Sequence, residues 1–189
     1  MSLKSQDAHL IISCASLIQF PPNDRHEVVM VGKSNVGKSS LINALTERKN
    51  LAYVGSRPGK TRLANFFHIS DSLMLVDVPG YGFANRSKQE QIAFGQLMDD
   101  YFNTRKLTAL LLCVDSRRGL NSDDLLMINL AKALKIRFAI ILTKTDKLTL
   151  KELNLIKNSV QGYLVFTFST LKKNGVEEIS EQILRWCEH

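Results

Sequence analysis

The chain of 189 residues is 44% hydrophobic and 23% charged, with a formal net charge of +7. This mixture can build a core at a length that suits one domain, which excludes a disordered or fibrous chain. No apolar run approaches the ~18 residues that cross a bilayer, and the excess positive charge favours work near nucleic acid or another polyanion.

Met1–Gln6 lacks the charged-then-apolar build of a signal peptide. Cys14, Cys113 and Cys187 are odd in number and lack metal-ligand spacing, as expected of buried thiols in a reducing cytoplasm. His9–Phe20 is apolar and ends at Pro21-Pro22, so residues 1–22 read as an arm packed on a domain that spans 23–189. Glu27–Gly32 is a continuous apolar run suited to a strand buried on both faces of a parallel sheet.

The glycine-rich stretch Gly32 to Ser40 follows directly, and a helix from about Lys38 to Glu47 follows that. Strand, glycine loop and helix in this order, with Gly-x-x-x-x-Gly-Lys-Ser, form a phosphate-binding loop. Gly32 and Gly37 allow backbone N–H groups to close around phosphate oxygens, joined by those of Lys33, Ser34, Asn35, Val36 and Ser40. The helix N-terminus adds partial positive charge. Lys38 can reach the β- and γ-phosphates, and the Ser39 hydroxyl can ligate Mg²⁺.

Arg48–Arg62 has no clean period and holds Gly55, Pro58 and Gly59, so it reads as a long, mobile loop, of a length that is usually functional or disordered. Arg48, Lys49, Arg57, Lys60 and Arg62 make it strongly basic, and Arg117–Arg118 and Lys172–Lys173 add two basic pairs. Leu63–Ile69 and Leu73–Val78 read as a hairpin turning at Ser70-Asp71. Ser87 to Glu90 fits a capping box that opens a helix with Ile92, Leu97, Met98, Tyr101 and Phe102 on its apolar face. Thr108–Val114 is another buried strand, and Ser122 caps a helix carrying Leu125, Leu126, Ile128, Leu130 and Leu134. Ile136–Leu142 is a strand, Thr149 to Glu152 a second capping box, and Leu164–Phe168 the last strand. Asn174 caps a final helix with Val176, Ile179, Ile183, Leu184 and Trp186.

Strands alternating with helices imply an α/β fold, a mostly parallel doubly wound sheet with its ligand at the carboxyl ends of the strands. The hairpin supplies one antiparallel edge strand. Three further groups should meet on that rim. Asp77, at the end of a buried strand, can hold the Mg²⁺ shell, while the Gly80 N–H senses the γ-phosphate. Thr143, Lys144, Asp146 and Lys147 end a later strand. The Asp146 carboxylate matches the N1 and N2 donors of guanine, which adenine does not present, and Lys144 can lay its stem along the base. Phe168, Ser169 and Thr170 follow the last strand and can offer N–H groups to the guanine O6.

These motifs in this order resemble a translation-factor-class GTPase. The longer matches are GKSNVGKSSLINAL, Arg57-Pro58-Gly59-Lys60-Thr61, Asp77-Val78-Pro79-Gly80-Tyr81-Gly82-Phe83-Ala84 and Leu142–Leu148. They make the chain similar to the bacterial EngB (YihA/YsxC) family, within the Era/TrmE-like P-loop GTPases. Lys33 and Lys60 stand where that family commonly has Arg, Thr170 stands where a smaller residue is usual, and the arm matches poorly. The resemblance implies a P-loop NTPase with a Ras-like G domain: a six-stranded, mostly parallel sheet with one antiparallel edge and helices on both faces. It implies GTP and GDP as ligands, Mg²⁺ held by Ser39, Asp77 and Thr61, and Gly59 and Thr61 acting only in the GTP state. It further implies catalysis by Lys38, Thr61, Gly80 and Asn35, with Asn35 binding a stimulating K⁺. The implied partner is the large ribosomal subunit or its precursor, rRNA and protein, for a cytoplasmic monomer. Tyr81 stands where many GTPases orient water with Gln, so slow intrinsic turnover is expected.

Overall fold

The computed structural model describes residues 3, 4, 6–54, 63–82, 87–172 and 174–188. Seven strands form one sheet in the order β1-β3-β4-β2-β5-β6-β7. They are β1 (His9–Cys14), β2 (His26–Gly32), β3 (Ala64–Ser70), β4 (Leu73–Asp77), β5 (Ala109–Asp115), β6 (Arg137–Thr143) and β7 (Val165–Thr167). Strands β2, β4, β5, β6 and β7 run parallel, while β1 and β3 pair antiparallel. The sheet therefore has one strand more than the six expected, and the hairpin strand β3 is interior. The extra strand is β1, the arm's apolar segment, which pairs outside β3. Leu10, Ile11 and Ile12 of β1 stay exposed, so the strand carries no clean inside-outside alternation from which a sequence reading could find it.

The continuous apolar runs of β2 and β5 are buried from Val28 to Val31 and from Ala109 to Val114, as sheet centres covered on both faces must be. One face is packed by α1 (Lys38–Leu45) and α5 (Val176–Cys187), with Leu41, Ile42, Leu45, Ile179 and Ile183 inward. The other is packed by α2 (Lys88–Thr104) and α3 (Ser122–Ala133), through Met98, Tyr101, Phe102, Ile128 and Ala131. Each of the Leu, Ile, Met and Phe side chains among them contributes roughly 1.5–3 kcal/mol by leaving water. Ile92, Leu125, Leu126 and Leu134, expected on apolar faces, are instead exposed. Each helix covers the sheet along one stripe only, and these residues lie off it.

Both expected capping boxes form. Glu90 N–H donates to Ser87 Oγ at 3.3 Å, and Glu152 N–H donates to Thr149 Oγ1 at 3.3 Å ahead of α4 (Leu150–Ser159). Two caps lie elsewhere than expected. Asn121, not Ser122, caps α3: its Oδ1 accepts from Asp123 N and Asp124 N at 2.8 and 3.1 Å. Gly175, in the left-handed region, precedes α5 in place of Asn174.

Candidate functional site

At the carboxyl ends of β2, β4, β5 and β6, the loop of residues 33–37 turns into α1. Gly32 is required at the turn: with φ at 147°, a Cβ there would lie 2.4 Å from the Cys113 carbonyl oxygen. Gly80 is required for close approach, because its Cβ would fall 2.7 Å from Ser34 N. The two segments are joined there, Ser34 N–H donating to the Tyr81 carbonyl at 3.0 Å while Val36 N–H donates to Lys33 O at 3.2 Å. Those two N–H groups are spent inside the protein. Asn35 and Gly37 N–H, and the first turn of α1, remain as donors toward the cavity. That cavity is about 360 Å³ and is lined by Ser34 to Ser40, Asp77, Gly80 and Lys144.

Two side chains, from the end of β6 and its following turn, brace the loop and tie it to β5. Thr143 Oγ1 lies 2.6 Å from Val36 O and 3.1 Å from Val114 O, so its one proton serves two carbonyls. Lys144, at φ 57°, donates through Nζ to Asn35 O at 2.8 Å and to Asp115 Oδ2 at 3.0 Å. Asn35 is itself left-handed at φ 59°, and its side chain has no hydrogen-bond partner among the described residues.

Lys38, Ser39 and Asp77 converge on the cavity floor. Ser39 Oγ donates to Asp77 Oδ2 at 3.0 Å, and Lys38 Nζ stands 3.8 Å from Asp77 Oδ1. Asp77 Oδ1 is buried without a hydrogen-bond partner among the described residues. Burial pushes the Asp77 carboxyl up, against the pull of Lys38 and Ser39. A carboxylate so enclosed, with one oxygen unsatisfied and the other beside a serine hydroxyl, is a donor set for a hard cation.

On the neighbouring side, Asp146 Oδ1 accepts from Ser169 Oγ at 2.7 Å, and Lys147 Nζ lies 3.7 Å from Oδ2. The Ser169 hydroxyl, foremost, holds the Asp146 carboxyl below its ordinary value. Thr145 Oγ1 donates to Phe168 O at 3.3 Å, tying the turn after β6 to the loop after β7. Ser169 and Thr170 line a second cavity of about 740 Å³ that also reaches Ser40 and Phe168. Asp146, its carboxyl held low, thus presents a hydrogen-bond acceptor next to the loop after β7, whose Ser169 lines the second cavity.

A model of a family described as 50S ribosome-binding GTPase matches residues 27–144. The probable GTP-binding protein EngB of Lactococcus lactis is 40% identical over 194 aligned positions, covering 98% of this chain and all of that protein. The chain belongs to the EngB family of GTPases. Its counterpart from Lactobacillus gasseri is 43% identical over 96% of this chain and 98% of that protein, and that of Clostridium kluyveri 42% over 93% of each. Among solved structures, a probable GTP-binding protein engB superposes with a TM-score of 0.69 at 22% identity, over 86% of this chain and 98% of that one. Era bound to MgGDPNP and nucleotides of 16S ribosomal RNA superposes with a TM-score of 0.68 at 22% identity, over 85% of this chain and 56% of that one. At such identity these structures speak for the fold, a P-loop GTPase fold.

For this EngB-family chain, every expected site residue among the described ones falls on the same rim. Gly59, Lys60 and Thr61 lie outside the described residues. Two groups were missed by the sequence reading. Asp115, level with Thr143 in the β5–β6 register, holds Lys144 and also accepts from Arg117 Nη2 at 2.6 Å; its only sequence signal was its place at a strand end. The Tyr81 hydroxyl donates to Asp124 Oδ1, while Asp124 Oδ2 accepts from Asn121 N–H and closes the α3 capping box. Tyr81 is buried there, facing α3.

Burial alone would raise Asp115, but the bonds from Arg117 and Lys144 hold it well below the usual carboxylate range. A folded-state value below the unfolded one, ~3.9, contributes stability that is present above that pH and lost as pH falls through the folded value. Asp115→Asn is therefore expected to lower the melting temperature at pH 7, with the gap to wild type shrinking as pH drops below about 4. A thermal denaturation series over pH measures this, and a constant gap would count against it.

Proposed function

We propose that the protein binds GTP and hydrolyses it as a molecular switch that assists assembly of the large ribosomal subunit. The observation that carries the nucleotide reading is the convergence of Asp146, held ionised by Ser169, with Lys38, Ser39 and Asp77 on one rim. In this reading Gly32 to Ser40 wrap the phosphates, with Asn35 and Gly37 supplying free N–H groups and Lys38 its ammonium. Asp146 selects guanine, Lys144 and Lys147 flank the base, and Phe168, Ser169 and Thr170 close its O6 edge. Gly80 and Thr61, with Gly59 beside it, sense the γ-phosphate.

Mg²⁺ fits the oxygen set of Ser39 and Asp77, since Asp77 Oδ1 is buried and otherwise unsatisfied; Thr61 would add a third ligand. When bound, the ion neutralises phosphate charge during phosphoryl transfer. The chain's own part is to orient: Lys38 and the loop N–H groups fix the phosphate tail in line for attack. Tyr81 does not orient the attacking water, because its hydroxyl is committed to Asp124. Intrinsic turnover is accordingly slow, and the Asn35 side chain, which has no hydrogen-bond partner among the described residues, would hold a K⁺ that would supply the missing positive charge.

Displacement of a fluorescent GDP tests the first step: GTP is expected to compete and ATP to fail at concentrations ~10³-fold higher. Equal competition by ATP would overturn the reading. Turnover is expected to be faster in KCl than in NaCl, and equal rates would remove the K⁺ role. The buried Tyr81 also favours a second reading, a GTP-gated binding module with negligible hydrolysis. Single-turnover assays with and without large subunits separate the two.

A further inference from the structure

The rim opposite the nucleotide, where the parallel strands begin, holds a second constructed surface. Four loops meet there around a groove of about 610 Å³ whose lining includes the cations Arg25, Lys106, Lys135 and Arg137, the carboxylates Asp24 and Asp71, and Trp186. Asp24 pairs with Arg25 at 3.6 Å, so basic residues remain in excess. Lys106, Lys135 and Arg137 are exposed, and none has a carboxylate partner among the described residues. At the nucleotide rim, by contrast, Lys38, Lys144, Arg117 and Lys147 each face an aspartate.

The groove is held rigid from beneath. Glu27, fully buried at the start of β2, accepts from Tyr101 OH at 2.6 Å and from Arg105 Nε at 3.1 Å. Asn23 Nδ2 donates to the same carboxylate at 3.2 Å, while Asn23 Oδ1 accepts from Lys106 N–H at 2.6 Å. Arg105 Nη1 donates to Pro21 O at 2.6 Å, and Arg137 Nη1 to Trp186 O at 3.0 Å. A buried ion network that GTP chemistry does not use thus fixes the backbone that carries Lys106.

We propose that this rim binds the phosphate backbone of RNA, independently of the nucleotide state. The inference rests on the ribosomal reading above and adds a contact surface to it. Free cations in a concave groove, with Trp186 nearly buried and no exposed aromatic anchor in the lining, suit an electrostatic partner rather than a protein hot spot. The seven residues each of β5 and β6 hold the groove about 20 Å from the phosphate loop. No described hydrogen bond of the Glu27 network reaches that loop.

The test is the triple variant Lys106→Gln/Lys135→Gln/Arg137→Gln, titrated against purified large subunits and a labelled 20-nucleotide RNA hairpin in KCl. Both titrations are run with GDP and with a non-hydrolysable GTP analogue. Losing about three phosphate contacts should reduce the log-log salt slope by about 2 and weaken binding about 40-fold near 150 mM. The factor should be the same in both nucleotide states, with GDP affinity and melting temperature unchanged. Lys106→Gln/Lys135→Gln, which keeps the Arg137 bond to Trp186, should show about two-thirds of the slope change and guards against a folding defect.

An unchanged slope, or a loss confined to the GTP state, overturns the proposal while leaving the GTPase reading intact. So does lost subunit binding with hairpin binding preserved, which would place an acidic protein on the rim. Wild-type protein that binds neither subunits nor hairpin overturns this surface together with the ribosomal partner.

Discussion

Arg105→Met is expected to destabilise the protein by about 3–5 kcal/mol, the cost of leaving a buried charge without its partner. Glu27 has no solvent exposure, and Arg105 is its cationic partner, gripping the carboxylate through Nε and Nη2. Methionine keeps contact with Phe20 and Phe66, whose rings lie 6.0 and 5.3 Å from the guanidinium carbon, so the loss reports charge more than volume. Tyr101 and Asn23 still donate to the carboxylate, but neither carries charge. In a chain of this length the melting temperature should fall by about 10 °C. Urea denaturation at saturating GDP measures the free energy, and GDP affinity itself should not change. Pairing the substitution with Glu27→Gln should restore part of the loss, because removing both charges leaves nothing uncompensated. A loss below about 1 kcal/mol would mean that water or other groups solvate Glu27 and that the rim is less rigid than drawn.

The same pair shows where a linear reading stops. Glu27 looks like an ordinary polar residue at a strand boundary, and the two α2-side partners that bury it, Tyr101 and Arg105, lie 74 and 78 positions away. Nothing local reports that a strand start will be sealed by α2. The phosphate loop, by contrast, is legible because its requirements are local: a strand, glycines that admit close backbone approach, then a helix. The buried strands β2 and β5 and two capping boxes are legible for the same reason. The edge strand β1 is not, because its face is half exposed and its pairing depends on β3, 50 or more residues on. Tyr81 marks the boundary most sharply. Its position after Gly80 is plain in the sequence, but the bond to Asp124, 43 residues later, that turns it away from the phosphates is a tertiary fact.

Asp146→Asn is expected to lower GTP affinity by roughly 10²–10⁴-fold and to raise affinity for xanthosine nucleotides relative to wild type. A carboxylate accepts from both the N1 and N2 donors of guanine. Each such charge-assisted bond contributes about 1.5–3 kcal/mol, so two set the range. An Asn side chain has one acceptor only, and its NH₂ would meet the guanine amino group donor to donor. Xanthine carries a carbonyl at that position and accepts the same NH₂. The substitution should leave the fold intact, for two reasons. Ser169 Oγ, which donates to Asp146 at 2.7 Å, can serve an amide equally well, since a hydroxyl both donates and accepts. Lys147, more than half exposed at 3.7 Å, loses a pairing worth little in water. Titrations of fluorescent GDP and XDP against both proteins read the exchange directly, with melting temperatures as the folding control. Retention of GDP affinity within a few-fold would show that Asp146 does not read the base, and the purine would then have to be recognised from Phe168, Ser169 and Thr170 alone.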